Sequence, residues 1–232
     1  MLFLSISDLY FWHKQKPIFA KINLKMNQPK KIALIGTNGS GKTTLLNLIC
    51  GKLAPDTGSI KTCRLLEFLE QDLNEYQLKL SVENFIYEKI SDGQPWVIDY
   101  TLNLARMEQI KPEQKMMSLS GGQKTRLSLS AVLTNIRLFG DEKSTLLLLD
   151  EPTNNLDKEG IEWLTSTLND FKGSIIFATH ERFLIDKIAD SIYLIENNLI
   201  EEFSCRYDEM KNILSIRRKH QEDEYSRKSK EA

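Results

Sequence analysis

Cysteine, long apolar runs and an excess of either charge are all scarce in this sequence, and each scarcity excludes a class of protein. The three cysteines, Cys50, Cys63 and Cys205, form no C-x-x-C pair, which argues against a disulfide framework or a zinc site and fits a reducing, cytoplasmic environment. No apolar run approaches the roughly 18–20 residues that cross a bilayer, so we expect no membrane span. The 31 basic and 32 acidic residues give a net charge of −1, which excludes a globally basic nucleic-acid binder.

Apolar runs and helical patterns alternate along most of the 232 residues. The patterns predict buried strands at four places: 31–35, 65–69, 145–149 and 174–179. They predict helices at 42–49, 121–134 and 158–171. Strands that alternate with helices favour an α/β fold with a mostly parallel sheet.

Four further segments complete the predicted architecture. The patterns at 2–11 and 18–26 predict two strands of an N-terminal antiparallel β subdomain. Residues 55–58 are predicted to form a turn. The helical periodicity of residues 72–135 predicts a small helical subdomain. Asn197 and Asn198 predict a two-residue hairpin turn between strands at 191–196 and 199–203.

A glycine-rich turn between a predicted strand and a predicted helix carries the first chemical signal. Residues 36–43 read G-T-N-G-S-G-K-T, which matches the phosphate-binding pattern G-x-x-x-x-G-K-[ST]. Bare backbone amides and the positive end of the following helix bind an anionic phosphate chain. Lys42 is suited to reach the outer phosphates and Thr43 to ligate Mg²⁺. The nucleotide-binding residues that we predict here are Gly36, Thr37, Asn38, Gly39, Ser40, Gly41, Lys42, Thr43 and Thr44.

Two acids follow the apolar run at residues 146–149. A phosphate-loop site needs an acid at a strand end for its Mg²⁺ shell, and Asp150 fits that need. Glu151 is then free to orient and polarise an attacking water. We therefore predict Asp150 as a metal residue and Glu151 as a catalytic residue.

The segment L-S-G-G-Q at residues 119–123 adds a third motif. With the two motifs above, and in this order along the chain, the sequence resembles the ATP-binding cassette (ABC) ATPases over about residues 2–210. The resemblance implies a fold of the ABC nucleotide-binding domain, with ATP and Mg²⁺ as cofactors. It also implies that two cassettes close head to tail around two ATP molecules, as a homodimer or as a paired cassette.

The resemblance assigns roles to further residues. Gln71 would contact the metal and the water, and His180 would hold the γ-phosphate and the water. The signature residues, which would act on the ATP of the opposite cassette, are Ser120, Gly121, Gly122 and Gln123. The loop 155–157 would touch that partner cassette. An aromatic near the N-terminus would stack on adenine; Phe11, Trp12 and His13 are candidates, and Trp12 is preferred.

The sequence is compatible with two kinds of cassette. The segments E-P-T-N-N-L-D (151–157), S-G-G-Q-K-T-R-L (120–127) and T-H-E-R-F-L (179–184) resemble the ABC-F branch, ATPases that act on ribosomes and whose partners include rRNA or tRNA. That branch normally carries two cassettes, and an aspartate where this chain has Glu181, so we expect a fragment, a truncated relative or a stand-alone cassette. The alternative is the ATP-binding subunit of a membrane transporter, with a transmembrane permease as partner.

The charged segment 211–232 follows the predicted ATPase domain of residues 1–210. Its basic residues outnumber its acidic residues by 7 − 4 = 3, and acid–base pairs four apart, Asp223 with Arg227 and Glu224 with Lys228, favour a solvated helix. We expect a C-terminal tail or the start of a linker. A contact with RNA phosphates is the weaker expectation for it.

Overall fold

The most apolar strands of the chain lie side by side in a six-stranded sheet of the computed structural model. The structure describes residues 2–90 and 93–231, with residues 221–231 described by their helical backbone alone. The strands of this sheet are β3 (Lys31–Gly36), β5 (Leu65–Leu69), β6 (Thr145–Asp150), β7 (Ser174–Ala178), β8 (Ser191–Glu196) and β9 (Leu199–Phe203).

The order of these strands brings distant parts of the sequence to one edge. It runs β5-β6-β7-β3-β8-β9, and every neighbouring pair is parallel except the β8–β9 hairpin. Parallel strands place their carboxyl ends on the same edge, where ligand sites of open α/β sheets lie. The segments after β3, β5, β6 and β7 therefore meet. The predicted α/β fold with a mostly parallel sheet is confirmed.

Helices cover both faces of the sheet because its central strands are apolar on both sides. Helix α1 (Lys42–Ile49) packs on one face together with the N-terminal strands. Helices α5 (Gly121–Phe139), α6 (Lys158–Asp170) and α7 (Arg182–Ile188) contribute to the core on the other face. Helix α5 continues beyond Thr134, where the sequence analysis ends it.

A second, antiparallel sheet has the order β2-β1-β4, from β1 (Leu4–His13), β2 (Lys16–Met26) and β4 (Thr57–Thr62). The turn predicted at 55–58 is wrong in its second half, because Thr57 and Gly58 belong to β4. Residues Thr57, Gly58 and Ser59 are exposed, so this edge strand lacks the apolar alternation that marks a strand in sequence.

A cluster of short helices has an apolar core of its own. It comprises α2 (Glu75–Lys79), α3 (Val82–Lys89), α4 (Trp96–Leu104) and the first half of α5. Leu127 and Ala131 of α5 belong to this core, while Leu129 and Leu133 belong to the core below the sheet. Helix α5 therefore joins the helical cluster to the sheet.

The last element is helix α8 (Tyr207–Glu231), which leaves the hairpin of β8 and β9. The side-chain pairs predicted within 223–228 lie outside the described side chains. In the part of the chain that the structure describes, no helix combines the length and the apolar character that a membrane crossing needs.

Candidate functional site

The phosphate loop lies between β3 and α1, as the sequence predicts, and its glycines are required by its shape. Gly39 and Gly41 have φ angles of 78° and 109°, which L-residues with a side chain rarely adopt. A Cβ on Gly41 would lie 2.8 Å from Ile18 Cγ2 and 2.9 Å from Phe19 Cζ. Strand β2 of the antiparallel sheet therefore supports the loop from behind.

The remaining loop residues provide an open approach. Thr37, Asn38, Gly39 and Thr43 are exposed, and Thr44 is half-buried in the first turn of α1. The amide of Ser40 donates to Thr37 O at 3.0 Å and closes the turn. The loop thus offers its backbone to solvent while its base rests on the sheet.

Lys42 is buried, and its ammonium group is held at the centre of the site. Its Nζ lies 3.2 Å from Gly36 O and 3.0 Å from His180 Nε2. The same atom is 3.7 Å from Glu151 Oε1. A cation, an imidazole and a carboxylate from three strand ends therefore meet around one atom.

Glu151 completes this group. Its Oε1 lies 3.2 Å from His180 Nε2, and its backbone has φ 46°. Left-handed backbone in a non-glycine residue marks a position that the surroundings fix. The amide of Glu151 donates to Ala178 O at 3.0 Å, so the end of β7 helps to hold it.

Asp150, one residue earlier, lies inside the sheet edge and not in this group. Burial raises the pKa of its carboxyl, and a hydrogen bond donated by the Thr43 hydroxyl opposes that effect. Asp150 Oδ1 is buried and has no hydrogen-bond partner among the described residues. A buried carboxylate oxygen without a partner is costly and invites a cation.

These observations fit a magnesium site at Asp150 and Thr43. Mg²⁺ takes oxygen ligands and is usually bound by one or two protein groups together with substrate phosphates and water. When bound, the ion would neutralise the charge of the phosphates. Gln71, the third predicted metal residue, lines the same groove as Asp150 and Glu151.

That groove, of about 230 Å³, runs from the end of β5 to the start of α5. Its lining residues include Gln71, Lys124 and Thr125. Gln71 follows β5, the parallel neighbour of β6, which explains why residues far apart in sequence share the groove. Lys124, one turn after Ser120, was not among the predicted site residues.

Ser120 starts helix α5 with a reciprocal cap. Its hydroxyl accepts from the Gln123 amide at 3.2 Å, and its own amide donates to Gln123 Oε1 at 2.9 Å. Such a capping box fixes the first helical turn. The predicted signature residues Ser120 and Gln123 thus have a structural task that the structure shows directly.

Gly121 and Gly122 let the loop after β6 pack against this turn. A Cβ on Gly121 would lie 2.7 Å from Asn155 Cβ, and one on Gly122 would lie 2.8 Å from Asn155 O. We call the group of Ser120, Gly121, Gly122 and Asn155 the serine corner. It presents the amino end of a 19-residue helix, a favourable place for an anion.

The serine corner and the phosphate loop are separate surfaces of the chain. The cavity beside the phosphate loop contains Gly36, Ser40 and His180. The cavity at the corner contains Ser120, Gly122 and Gln123, and the two cavities share no lining residue among the described residues. The corner and the loop therefore line different cavities, while the groove beside Glu151 also reaches Gly121 and Asn155 of the corner.

Trp12 lies at the end of the β1–β2 hairpin, half-exposed to solvent. Its ring stacks on Tyr10 with centroids 5.8 Å apart and an interplanar angle of 10°. Its cross-strand neighbour Pro17 lines the cavity beside the phosphate loop, together with Ile18. The structure thus places Trp12 near that cavity, and its role in binding adenine stays a prediction.

Thr153 and Thr179 are contributors that the sequence analysis missed. Their hydroxyls are 3.1 Å apart, and Thr179 Oγ1 accepts from the Glu181 amide at 3.0 Å. These contacts fix the backbone on both sides of His180. A threonine directly before the histidine is the only sign of this in the sequence.

Comparison with known proteins gives consistent matches. Residues 19–154 match the family model described as ABC transporter. The chain is 38% identical over 188 residues to the erythromycin resistance ATP-binding protein MsrA of Staphylococcus epidermidis, covering 80% of this chain and 33% of the relative. It is 31% identical to ABC transporter F family member 5 of Arabidopsis thaliana, covering 88% and 29%.

Two further matches extend this result. The chain is 29% identical to the ribosome protection protein VmlR of Bacillus subtilis, covering 97% of this chain and 37% of the relative. The fold superposes on a solved ATP binding subunit of an ABC transporter with a TM-score of 0.75 at 19% identity, covering 93% of this chain and 94% of that chain. The chain spans about a third of the length of the three relatives named here.

Proposed function

Because the chain belongs to the ABC transporter family, whose members are ATPases, we propose that it binds Mg-ATP and hydrolyses it between two cassettes. The meeting of Lys42, Glu151 and His180 around one atom carries this proposal. A phosphate chain needs a cation, and hydrolysis needs a group that orients water. Lys42 and Glu151 supply these groups 3.7 Å apart at the open phosphate loop, and His180 Nε2 lies 3.0 Å from the ammonium group and 3.2 Å from the carboxylate.

The chain's own residues divide the work. Lys42 exchanges Glu151 for the outer phosphates when a nucleotide arrives, because a phosphate is the stronger anionic partner. Glu151, released from the ammonium group, accepts a hydrogen bond from the attacking water and polarises it. His180 holds the γ-phosphate and the water in register. Gln71 lies along the groove beside Glu151 and is suited to sense the occupied site.

The serine corner supplies the second half of the site on the opposite cassette. Its helix start offers backbone amides and a positive dipole end to the γ-phosphate. The distinct cavities at Ser120 and at the phosphate loop within one chain support this head-to-tail arrangement. ATP then joins the two surfaces, and loss of the γ-phosphate lets them part.

For the biological role we propose an ABC-F type of cassette that acts on the ribosome. Support comes from the relatives named for erythromycin resistance, ribosome protection and the F family. The likeness to solved transporter subunits lies at 19–23% identity and concerns the fold. A transporter subunit, with a permease as partner, is therefore the alternative outcome of the test.

Substitution of Glu151 tests the catalytic proposal. Glu151→Gln keeps the size of the side chain but cannot take a proton, so we expect ATP binding to persist while turnover falls by about 10²–10⁴-fold. Phosphate release and equilibrium nucleotide binding measure the two effects separately. Lys42→Ala serves as the control that loses binding. A Glu151→Gln protein with full ATPase activity would contradict the assigned role.

Co-sedimentation tests the ribosomal role. The Glu151→Gln protein, saturated with ATP, should pellet with ribosomes, whereas the same protein without nucleotide and the Lys42→Ala protein should stay in the supernatant. Membrane vesicles from the same cells run beside it. Binding to vesicles and not to ribosomes would favour the transporter subunit.

A further inference from the structure

A cavity of about 610 Å³ separates the phosphate loop from helix α8. One wall is formed by the loop residues Gly36, Thr37, Gly39 and Ser40. The opposite wall is formed by side chains from the first three turns of α8, among them Lys211. The segment that we expected to be a tail or linker therefore borders the nucleotide-binding loop.

Helix α8 is docked in this position by contacts at its start and along the hairpin. Met210 is buried in the core below the sheet. Arg217 Nη1 donates to both carboxylate oxygens of Glu201, at 2.7 and 2.9 Å. Arg218 Nη2 lies 3.2 Å from Glu196 Oε1. Exposed ion pairs of this kind contribute little each, so the helix beyond Met210 is held with little free energy by its arginines.

Lys211 is the cation of this wall that is available to a ligand. The contact that the structure gives its ammonium group is with the ring of Tyr207, 5.6 Å from the centroid. Among the described side chains it has no carboxylate partner. By contrast, Arg218 also lines the cavity but is already paired with Glu196.

We propose that Lys211 contacts the nucleotide held at the phosphate loop and thereby couples nucleotide binding to the docking of α8. The inference rests on the proposed function, since it needs a nucleotide at the loop. Coupling of this kind is reciprocal: if α8 strengthens nucleotide binding, nucleotide stabilises docked α8 by the same factor. The docking of helix α8 would then depend on the nucleotide state of the cassette.

Charge-matched variants test the contact. In the Glu151→Gln background, which prevents turnover, Lys211→Gln should raise the dissociation constant of Mg-ATP about fivefold. Lys219→Gln removes the same charge from the same helix but does not line the cavity, and it should change affinity less than twofold. Lys211→Arg should restore most of the affinity. Equal affinities for the Lys211→Gln and Lys219→Gln proteins would overturn the inference.

Amide hydrogen exchange tests the reciprocal effect. Saturating Mg-ATP should slow exchange of the amides at 207–218 in the Glu151→Gln protein, and should slow it less when Lys211→Gln is added. Unchanged exchange at α8 with measured nucleotide binding would overturn the inference alone. Failure of the Glu151→Gln protein to bind Mg-ATP would overturn the proposed function and this inference with it.

Discussion

The phosphate loop and the serine corner are built on opposite principles. At the loop, four ends of parallel strands converge, and the polar groups there already lie close together: Lys42 Nζ faces both His180 and Glu151. At the corner, one helix start rests on one loop, and Ser120 is satisfied by its own helix. The first region is set by the topology of the sheet, the second by close packing of two glycines on Asn155. Under the proposed function, the loop of one chain is completed by the corner of a partner, so the two regions can be inactivated independently.

Defects of the two regions placed on different chains test their difference most strongly. Lys42→Ala and Ser120→Glu proteins should each lose ATP turnover by more than about 100-fold, because each destroys one half of every site. A mixture should regain roughly a quarter of wild-type activity if chains pair at random, since half the dimers contain one intact site. Phosphate release from titrated mixtures measures this. No recovery, or full activity of a strictly monomeric protein, would contradict a shared site.

The packing at the corner predicts the next largest effect. Gly121→Ala places a Cβ 2.7 Å from Asn155 Cβ and should lower the free energy of unfolding by about 1–3 kcal/mol. Asn155→Gly should relieve much of this loss, because it removes the clashing side chain and tolerates the φ of 64° at that position. Gly122→Ala meets the backbone oxygen of Asn155, so the same second substitution should not rescue it. Chemical denaturation of the single and double variants separates the two cases.

The buried acid beneath the loop predicts a dependence of stability on pH. Burial raises the pKa of Asp150, so the folded protein binds that proton more tightly than the unfolded chain. Its contribution therefore makes the free energy of unfolding fall as pH rises from the ordinary aspartate range through the raised pKa. Asp150→Asn should remove this decline and stabilise the nucleotide-free protein at neutral pH by about 1 kcal/mol. Melting temperatures between pH 4 and pH 8, with and without Mg-ATP, measure it; a variant less stable at pH 7 would contradict it.

The smallest change in stability is expected at Arg126, which lines the same cavity as Ser120 and Asn155. Arg126 lies 3.9 Å from both Asp157 and Glu159, whose carboxylates are largely exposed. Arg126→Gln should cost less than about 1 kcal/mol, and salt should reduce the difference. Thermal melts at low and high ionic strength test this. A loss of several kcal/mol would mean that Arg126 packing against Trp163, 5.9 Å from its ring, outweighs the charges.

The predicted bounds of helices and strands agree with the structure where the determining pattern lies within one short segment. Helix α1 begins and ends where the pattern predicts, and so do both strands of the β8–β9 hairpin, whose Asn197 and Asn198 have the positive φ angles of their turn. Strand β4 was missed because its pairing with β1 is its main support, and that information lies some fifty residues away.

The candidate site likewise has one part that the sequence predicts and another that depends on contacts between distant residues. The order of the motifs predicted a set of site residues, and the parallel sheet explains why three of them, Gln71, Glu151 and Lys42, lie at one edge. The contact between Lys42 and His180 joins residues 138 apart, and no local pattern encodes it. The sequence also did not predict that α8 forms a wall of the cavity, because the charges of that helix predicted a solvated face.

The turn of the β8–β9 hairpin has a mechanical consequence. Asn198 Nδ2 donates to Ile18 O at 3.1 Å, and the Ala20 amide donates to Asn198 O at 2.9 Å. These hydrogen bonds join the six-stranded sheet to β2, the strand that supports the glycines of the phosphate loop. The same hairpin carries Glu196 and Glu201, the carboxylates that pair with Arg218 and Arg217 of the last helix, so one short element contacts both that helix and the strand behind the phosphate loop.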